Sequence, residues 1–347
     1  MSSAAQHHPL VIVPSELEYF TQLPGMLQAA GCTVQQAGDR ATFARLIGEA
    51  DVVLTSVFLG VDRASLAGAR RLRGVVSLVI GVDTIDVRAC TEMGVIVANG
   101  AVPENSVGAA EGAALLIVAL LKGLKLKETA LRSGAWRPPG SVSNLVWRKT
   151  VGIIGVGSIG RQVAERFQGW DVTVLGCGPH LTPETAPAGM KVVGLSQLLH
   201  ESDVVSVHAL LSAETRGLIG ARELALMKSS AYLVNTARGG VVDELALADA
   251  LRAGSLAGAA IDVWPDEPPP RDHPLFALPP ERVILTGHCI GHGAEQLPAI
   301  VEAAVENVTR AARGELPRYV VNPEVIPAWR ERLARLGQRR MNLHRAP

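Results

Sequence analysis

Short runs rich in Val, Ile and Leu recur along the chain at residues 10–13, 51–56, 75–80, 150–156, 171–177, 203–209, 231–237, 258–264 and 282–288. Most are separated by stretches with helical spacing, such as residues 18–30, 41–50 and 299–313. A brief β-branched run followed by an amphipathic helix is a βα unit, and a series of them predicts a parallel sheet covered by helices. One long Ala- and Leu-rich stretch interrupts the series. Pro103 is placed to open a helix there, and the pattern carries it to about Arg132. A Gly/Pro loop follows, and the alternation restarts at Thr150. The expected fold is therefore α/β, with two doubly wound parallel-sheet domains and a cleft between them. Residues 103–293 form one domain, and residues 1–102 with 294–347 form the other. The basic tail from Arg330 is expected to be a frayed helix or disordered.

A chain of 347 residues, 48% of them hydrophobic, suffices for two cores. Its 33 basic and 33 acidic residues cancel, which removes the electrostatic footprint of nucleic-acid or anionic-membrane binding. Cys32, Cys90, Cys177 and Cys289 are scattered without CxxC spacing. That argues against a metal site or a disulfide framework and fits a reducing, cytoplasmic setting. The opening MSSAAQHHP lacks the basic-then-apolar pattern of a signal peptide. The most apolar segment, residues 113–121, lies close between Glu111 and Lys122, short of the roughly 20 apolar residues of a membrane span.

Gly155, Gly157 and Gly160 form G-x-G-x-x-G between an apolar strand run and a helical stretch. In that context Gly155 permits the tight turn, Gly157 admits a pyrophosphate close to the backbone, and Gly160 lets helix and strand pack closely. The helix N-terminus adds free N–H groups and positive potential. This is a dinucleotide site, so NAD or NADP is the expected cofactor. An acid that would bind the ribose 2′-hydroxyl is expected about 20 residues on. Gly178 stands there instead, followed by Pro179 and His180. Nothing at this point repels a 2′-phosphate, and no Arg clamps one, so the choice between the two cofactors stays open.

Three later segments end strand-like runs with chemically capable side chains: Arg238 in NTARGG, Glu267 in DVWPDEP and His288 in LTGH. A guanidinium fork matches a carboxylate. An imidazole titrates in the range that protonating a carbonyl oxygen requires, and a neighbouring carboxylate favours its charged form. Arg238 is thus the expected substrate-binding residue, His288 the general acid/base, and Glu267 the group that orients and charges it. Each has a plainer reading as a surface ion pair, a solvated loop residue or a packed imidazole. Their order after the glycine loop favours the chemical one. His292 competes with or assists His288, and His208 ends a strand where it would line the cofactor cleft. His7, His8, His200, His273 and His344 lie in polar, terminal, helix-end or Pro-rich contexts and are read as bland.

These segments resemble the D-isomer-specific 2-hydroxyacid dehydrogenases, the group that includes phosphoglycerate, glycerate/hydroxypyruvate and D-lactate dehydrogenases. The resemblance runs from GVDTID at residues 81–86, through ETRGLI at 214–219, LMK at 226–228 and NTARGGVVDE at 235–244, to TGH at 286–288. It implies a Rossmann cofactor domain and a flavodoxin-like substrate domain, and hydride transfer between a nicotinamide and a small 2-keto/2-hydroxy acid. It assigns the catalytic roles to Arg238, Glu267 and His288. It implies that Asp262 holds the nicotinamide carboxamide, and that Ser158, Ile159, His208, Thr236 and Ala237 contact the dinucleotide. The N–H groups at Val79, Ile80 and Gly81 become the substrate-carboxylate loop. Family members are usually homodimers through the long helix and the arm after it, here residues 107–148.

Several positions depart from the family pattern. Val79 replaces a glycine, Gly287 replaces the proline before the histidine, and CIGH at 289–292 replaces small residues. The segment after His208 reads ALLSA, without the usual proline. Phosphite and formate dehydrogenases share the resemblance; formate enzymes carry Gln where Glu267 stands, whereas a phosphite-type oxyanion would also suit Arg238. An NAD(H)-sensing corepressor-like protein is the non-enzymatic alternative, disfavoured by the neutral charge and the lack of an interaction tail.

Overall fold

The computed structural model describes residues 8–343 except Glu16, Glu18, Val57, Phe58 and Gly140. The chain divides into two compact units, Met1–Asn105 with Gly293–Pro347, and Ser106–His292.

The first unit begins with β1 (Leu10–Pro14), α1 (Leu23–Ala29), β2 (Thr33–Ala37), α2 (Arg40–Ile47), β3 (Val52–Thr55), α3 (Arg63–Leu66), β4 (Gly74–Ser77), α4 (Val87–Glu92) and β5 (Ile96–Ala98). Its strands pair in the order β2-β1-β3-β4-β5, all parallel. Most are buried on both faces, which is why they read as continuous apolar runs. β2 escaped the sequence reading because TVQQA at this edge carries polar side chains, and β5 because it has only three residues.

Next come α5 (Pro103–Leu121) and α6 (Leu124–Arg132). The single helix expected over residues 103–132 is in fact two, because Gly123 takes a left-handed φ of 55° between them. α5 has the length and apolarity to cross a bilayer. Its Ala110, Ala113, Leu116, Ile117 and Leu120 instead pack into a core with Val151, Ile153, Val163 and Val204.

The second unit continues with β6 (Thr150–Ile154), α7 (Ser158–Arg166), β7 (Thr173–Cys177), β8 (Met190–Val192), α8 (Leu195–Glu201), β9 (Val204–Val207), α9 (Ala221–Leu224), β10 (Tyr232–Asn235), α10 (Glu244–Ala253), β11 (Gly258–Ile261) and β12 (Val283–Leu285). The parallel order is β12-β11-β10-β9-β6-β7-β8. The order reverses between β6 and β9, and ligands of such sheets bind beyond the strand C-termini at that switch point.

The chain then returns to the first unit as α11 (Gln296–Arg313) and α12 (Ile326–Leu343). α12 corrects the expectation of a frayed or disordered tail. Trp329 is fully buried and donates its indole N–H to the Arg73 carbonyl at 2.7 Å. Arg332 donates to the carbonyls of Leu72, Met93 and Ala69 at 2.7, 3.2 and 2.6 Å. These two side chains turn a basic, polar-looking segment into a docked helix. His7 and His344 lie outside the described residues.

Candidate active site

The glycine loop leaves β6 at the switch point. Gly155 has φ +88°, and a Cβ there would lie 2.6 Å from the Ala209 amide and 2.7 Å from the His208 carbonyl carbon. That tight fit seats the loop against the end of β9. A Cβ on Gly160 would strike the Gly155 carbonyl oxygen. A Cβ on Gly157 would enter open space, so no protein atom fills the room beside this residue. Gly157 also caps α7 without a side-chain hydrogen bond, leaving the first-turn N–H groups, at Ser158 and Ile159, to an outside acceptor. Gly178 follows β7, and a Cβ there would stand 3.8 Å from the Val156 amide. Across the switch point, His208 hydrogen-bonds Ser206 Oγ through Nε2 at 2.8 Å. Burial pushes its imidazole down to about 4, so it is neutral at physiological pH. The Thr236 hydroxyl is buried with no partner among the described residues. An open glycine edge, an uncapped helix start and an orphaned hydroxyl along one strand-end row fit a phosphate-bearing dinucleotide.

The other strand ends bring His288 and Glu267 into contact, with the Arg238 charge near enough to act on Glu267. His288 Nδ1 lies 2.9 Å from both Oε1 and Oε2 of Glu267. Glu267 Oε1 also accepts the Trp264 backbone N–H at 3.1 Å. Burial pushes the Glu267 carboxyl up, but the His288 hydrogen bond and charge, the Trp264 amide and the Arg238 charge outweigh it and hold the carboxyl below its usual range. Arg238 leaves β10 in an extended conformation, its loop closed by Asn235, which donates to the Arg238 carbonyl at 3.0 Å and accepts from the Ala237 amide at 3.1 Å. Gly239 lets this loop meet the Glu267 loop, because a Cβ there would collide with the Trp264–Pro265 backbone.

Asp262 governs the histidine loop. Its Oδ1 accepts from Thr286 Oγ1 at 2.6 Å and from the amides of Cys289 and Ile290 at 3.0 and 3.2 Å, and its carbonyl accepts the His288 amide at 2.7 Å. These bonds hold His288 at φ 55°, a left-handed conformation that costs a non-glycine residue on the order of 1–2 kcal/mol. His292 is partly buried beside this loop; burial and the His288 charge lower its pKa against the opposing pull of Asp262. His273, read as bland, has a partner: its Nε2 lies 2.8 Å from Glu244 Oε2 in a nearly buried pair. Nothing local in the sequence marks that pair, since 29 residues separate its members. Among the described residues no group of three or more His, Cys, Asp or Glu is placed to hold a metal ion.

Residues 114–289, just over half of the chain, match the NAD binding domain of the D-isomer specific 2-hydroxyacid dehydrogenases. A glyoxylate reductase of Korarchaeum cryptofilum is 35% identical over 287 residues, covering 81% of this chain and 85% of its own length. The chain belongs to the D-isomer specific 2-hydroxyacid dehydrogenase family. A D-3-phosphoglycerate dehydrogenase of Methanocaldococcus jannaschii is 35% identical over 292 residues, 84% of this chain and 55% of that protein. The chain spans 51–63% of the length of the phosphoglycerate dehydrogenases it matches. A D-lactate dehydrogenase of Aquifex aeolicus, solved with NAD and lactic acid, superposes with a TM-score of 0.80 at 25% identity over 90% of this chain and 98% of its own.

The loop holding Val79, Ile80 and Gly81 belongs to the first unit and follows β4. Asn99 Nδ2 donates to the Ile80 carbonyl and Ser77 Oγ to the Gly81 carbonyl, both at 2.8 Å, while the Val79 amide reaches Ser77 Oγ at 3.3 Å. The carbonyls are thereby turned inward. The amides of Ile80, Gly81 and Val82 donate to no acceptor among the described residues.

Proposed function

We propose that this protein is an NAD(P)-dependent dehydrogenase that interconverts a small 2-keto acid and the corresponding 2-hydroxy acid. The observation that carries the reading is the His288 imidazole held by both Glu267 oxygens at 2.9 Å. A carboxylate fixed on Nδ1 leaves Nε2 to hand a proton to a carbonyl oxygen, or to take one from a hydroxyl. The nicotinamide supplies or accepts the hydride when bound. Arg238 receives the substrate carboxylate or polarises its carbonyl, and its charge helps keep Glu267 ionised. Gly155, Gly157, Ser158, Ile159 and Gly160 hold the pyrophosphate, and His208, Thr236 and Ala237 line the same crevice. Asp262 holds the nicotinamide carboxamide as well as the histidine loop. The free amides around Ile80 and Gly81 form a nest for a carboxylate. Gly178 offers no acid to refuse a 2′-phosphate, so both cofactors are admitted.

A homodimer goes with this reading. Val107, Leu115, Leu124, Leu131, Trp136, Val142, Leu145 and Trp147 are large apolar residues exposed along one 41-residue stretch, and such a concentration marks an interface. The relatives' names, D-3-phosphoglycerate dehydrogenase and glyoxylate reductase, support a dehydrogenase or reductase of small 2-hydroxy or 2-keto acids. The deciding experiment is a panel of 2-keto acids, including glyoxylate and hydroxypyruvate, assayed with NADH and with NADPH. Oxidation of either cofactor is expected with at least one acid; cofactor binding without turnover across the panel would overturn the enzymatic reading.

A further inference from the structure

Behind the His288–Glu267 pair lies a second carboxyl–imidazole pair. Glu244 opens α10, its side chain 3% exposed, with Oε2 2.8 Å from His273 Nε2. Neither carboxyl oxygen has a well-directed hydrogen bond among the described residues. The ring of His273 stands edge-on to Trp264 at 5.2 Å and 83°. Trp264 in turn donates its amide to Glu267 Oε1 at 3.1 Å and its indole N–H to the Thr286 carbonyl at 2.9 Å. Trp264 therefore joins both pairs, touching His273 with its buried ring and Glu267 with its backbone amide.

We propose that Glu244 and His273 are positioning residues for the proton transfer, a buried couple linked through Trp264 to Glu267 and His288. This rests on the activity proposed above and adds residues to it. The charges acting on Glu244 are Asp243 on its own helix and Glu267 from the loop after β11, both negative. From α9, Arg222 and Glu223 pair with each other at 3.1 Å, and Asp272 acts on His273. Burial and the two carboxylates push the Glu244 carboxyl up to about 8, and burial keeps His273 neutral. At neutral pH Glu267 is thus the ionised carboxylate beside His288, with a protonated acid behind it. As pH passes about 8, Glu244 releases its proton to solvent. The new negative charge behind Glu267 favours keeping the proton that keto-acid reduction consumes, and prolongs that reaction into alkaline conditions.

Two measurements on Glu244→Gln, with Glu244→Asp as the variant that keeps a titrating group, test this. The folded pKa of Glu244 lies above its unfolded value, so wild-type stability falls between about pH 5 and about pH 8, a slope that Gln removes. The melting temperature of Glu244→Gln should therefore gain several degrees on wild type across that range; parallel curves would overturn the proposal. In the pH profile of kcat/KM for reduction, Glu244→Gln should lose roughly 3- to 10-fold more rate than wild type on the alkaline limb, as for a coupling of 0.5 to 1 pKa unit, and Glu244→Asp should recover part of it. A profile of wild-type shape scaled by one factor would mean a purely structural role. Absence of turnover on every keto acid would remove the activity and the positioning role with it, while the melting curves would still report the Glu244 proton.

Discussion

His288 and Glu267, 21 residues apart in sequence, meet in a two-oxygen contact, with Nδ1 2.9 Å from each carboxylate oxygen. The contact fixes which ring nitrogen faces outward, which a solvent-exposed histidine would leave to tumbling. His288→Ala should lower turnover by about 10²–10⁴-fold, the contribution of a placed general acid, and leave the dissociation constant for the cofactor nearly unchanged. Fluorescence titration of the reduced cofactor together with steady-state kinetics checks both halves, and undiminished turnover would reject the proton role.

Glu267→Gln should cost stability at neutral pH, and the cost should shrink in acid. The folded carboxyl titrates below its ordinary value of 4.5, so its stabilisation is present above that value and is lost as pH falls through the lowered one. Melting curves of both proteins should show a gap at about pH 7 that narrows as the pH is lowered toward about 3.

Gly178→Asp should shift cofactor preference toward NADH. The position lies beside the glycine loop, 3.8 Å from the Val156 amide by its projected Cβ, where a carboxylate would bind a 2′-hydroxyl and repel a 2′-phosphate. The ratio of kcat/KM for NADH and NADPH is the readout; an unchanged ratio would mean the ribose is seated elsewhere.

Gly239→Ala should be strongly destabilising, since its Cβ would overlap the Trp264–Pro265 backbone. Overpacking of this kind costs typically about 1–3 kcal/mol, which lowers the melting temperature by about 2–4 °C per kcal/mol in a domain of this size. Activity should fall as well, because the same collision pushes the Arg238 and Glu267 loops apart. Calorimetry and kinetics on one preparation test both.

Leu131→Asp combined with Trp136→Ser should weaken self-association. Both residues are more than 60% exposed on the apolar stretch after α5, and a buried charge in such a patch opposes pairing. Sedimentation velocity should move the variant toward the monomer. A wild-type protein that sediments as a monomer at all concentrations would remove the dimer.

What the sequence alone determined is local and periodic. Alternating apolar runs and helical spacing specify βα units, because backbone pairing and one-sided burial repeat every two or about 3.6 residues. G-x-G-x-x-G likewise carries its own geometry, since Gly155 and Gly160 are demanded by contacts within one strand–turn–helix. The breaks were harder to see: Gly123 ends a helix that the apolar pattern would continue, and α12 is held by Trp329 and Arg332 reaching carbonyls more than 200 residues away. Arg238, Glu267 and His288 could be noticed as capable residues at strand ends, but no spacing states that two of them lie 2.9 Å apart. Glu244, at the end of NTARGGVVDE, and His273, in a Pro-rich loop, were each visible, but nothing in the sequence paired them. Charge and burial at a site depend on which loops a parallel sheet sets side by side, and that neighbourhood exists only once the distant strands have paired.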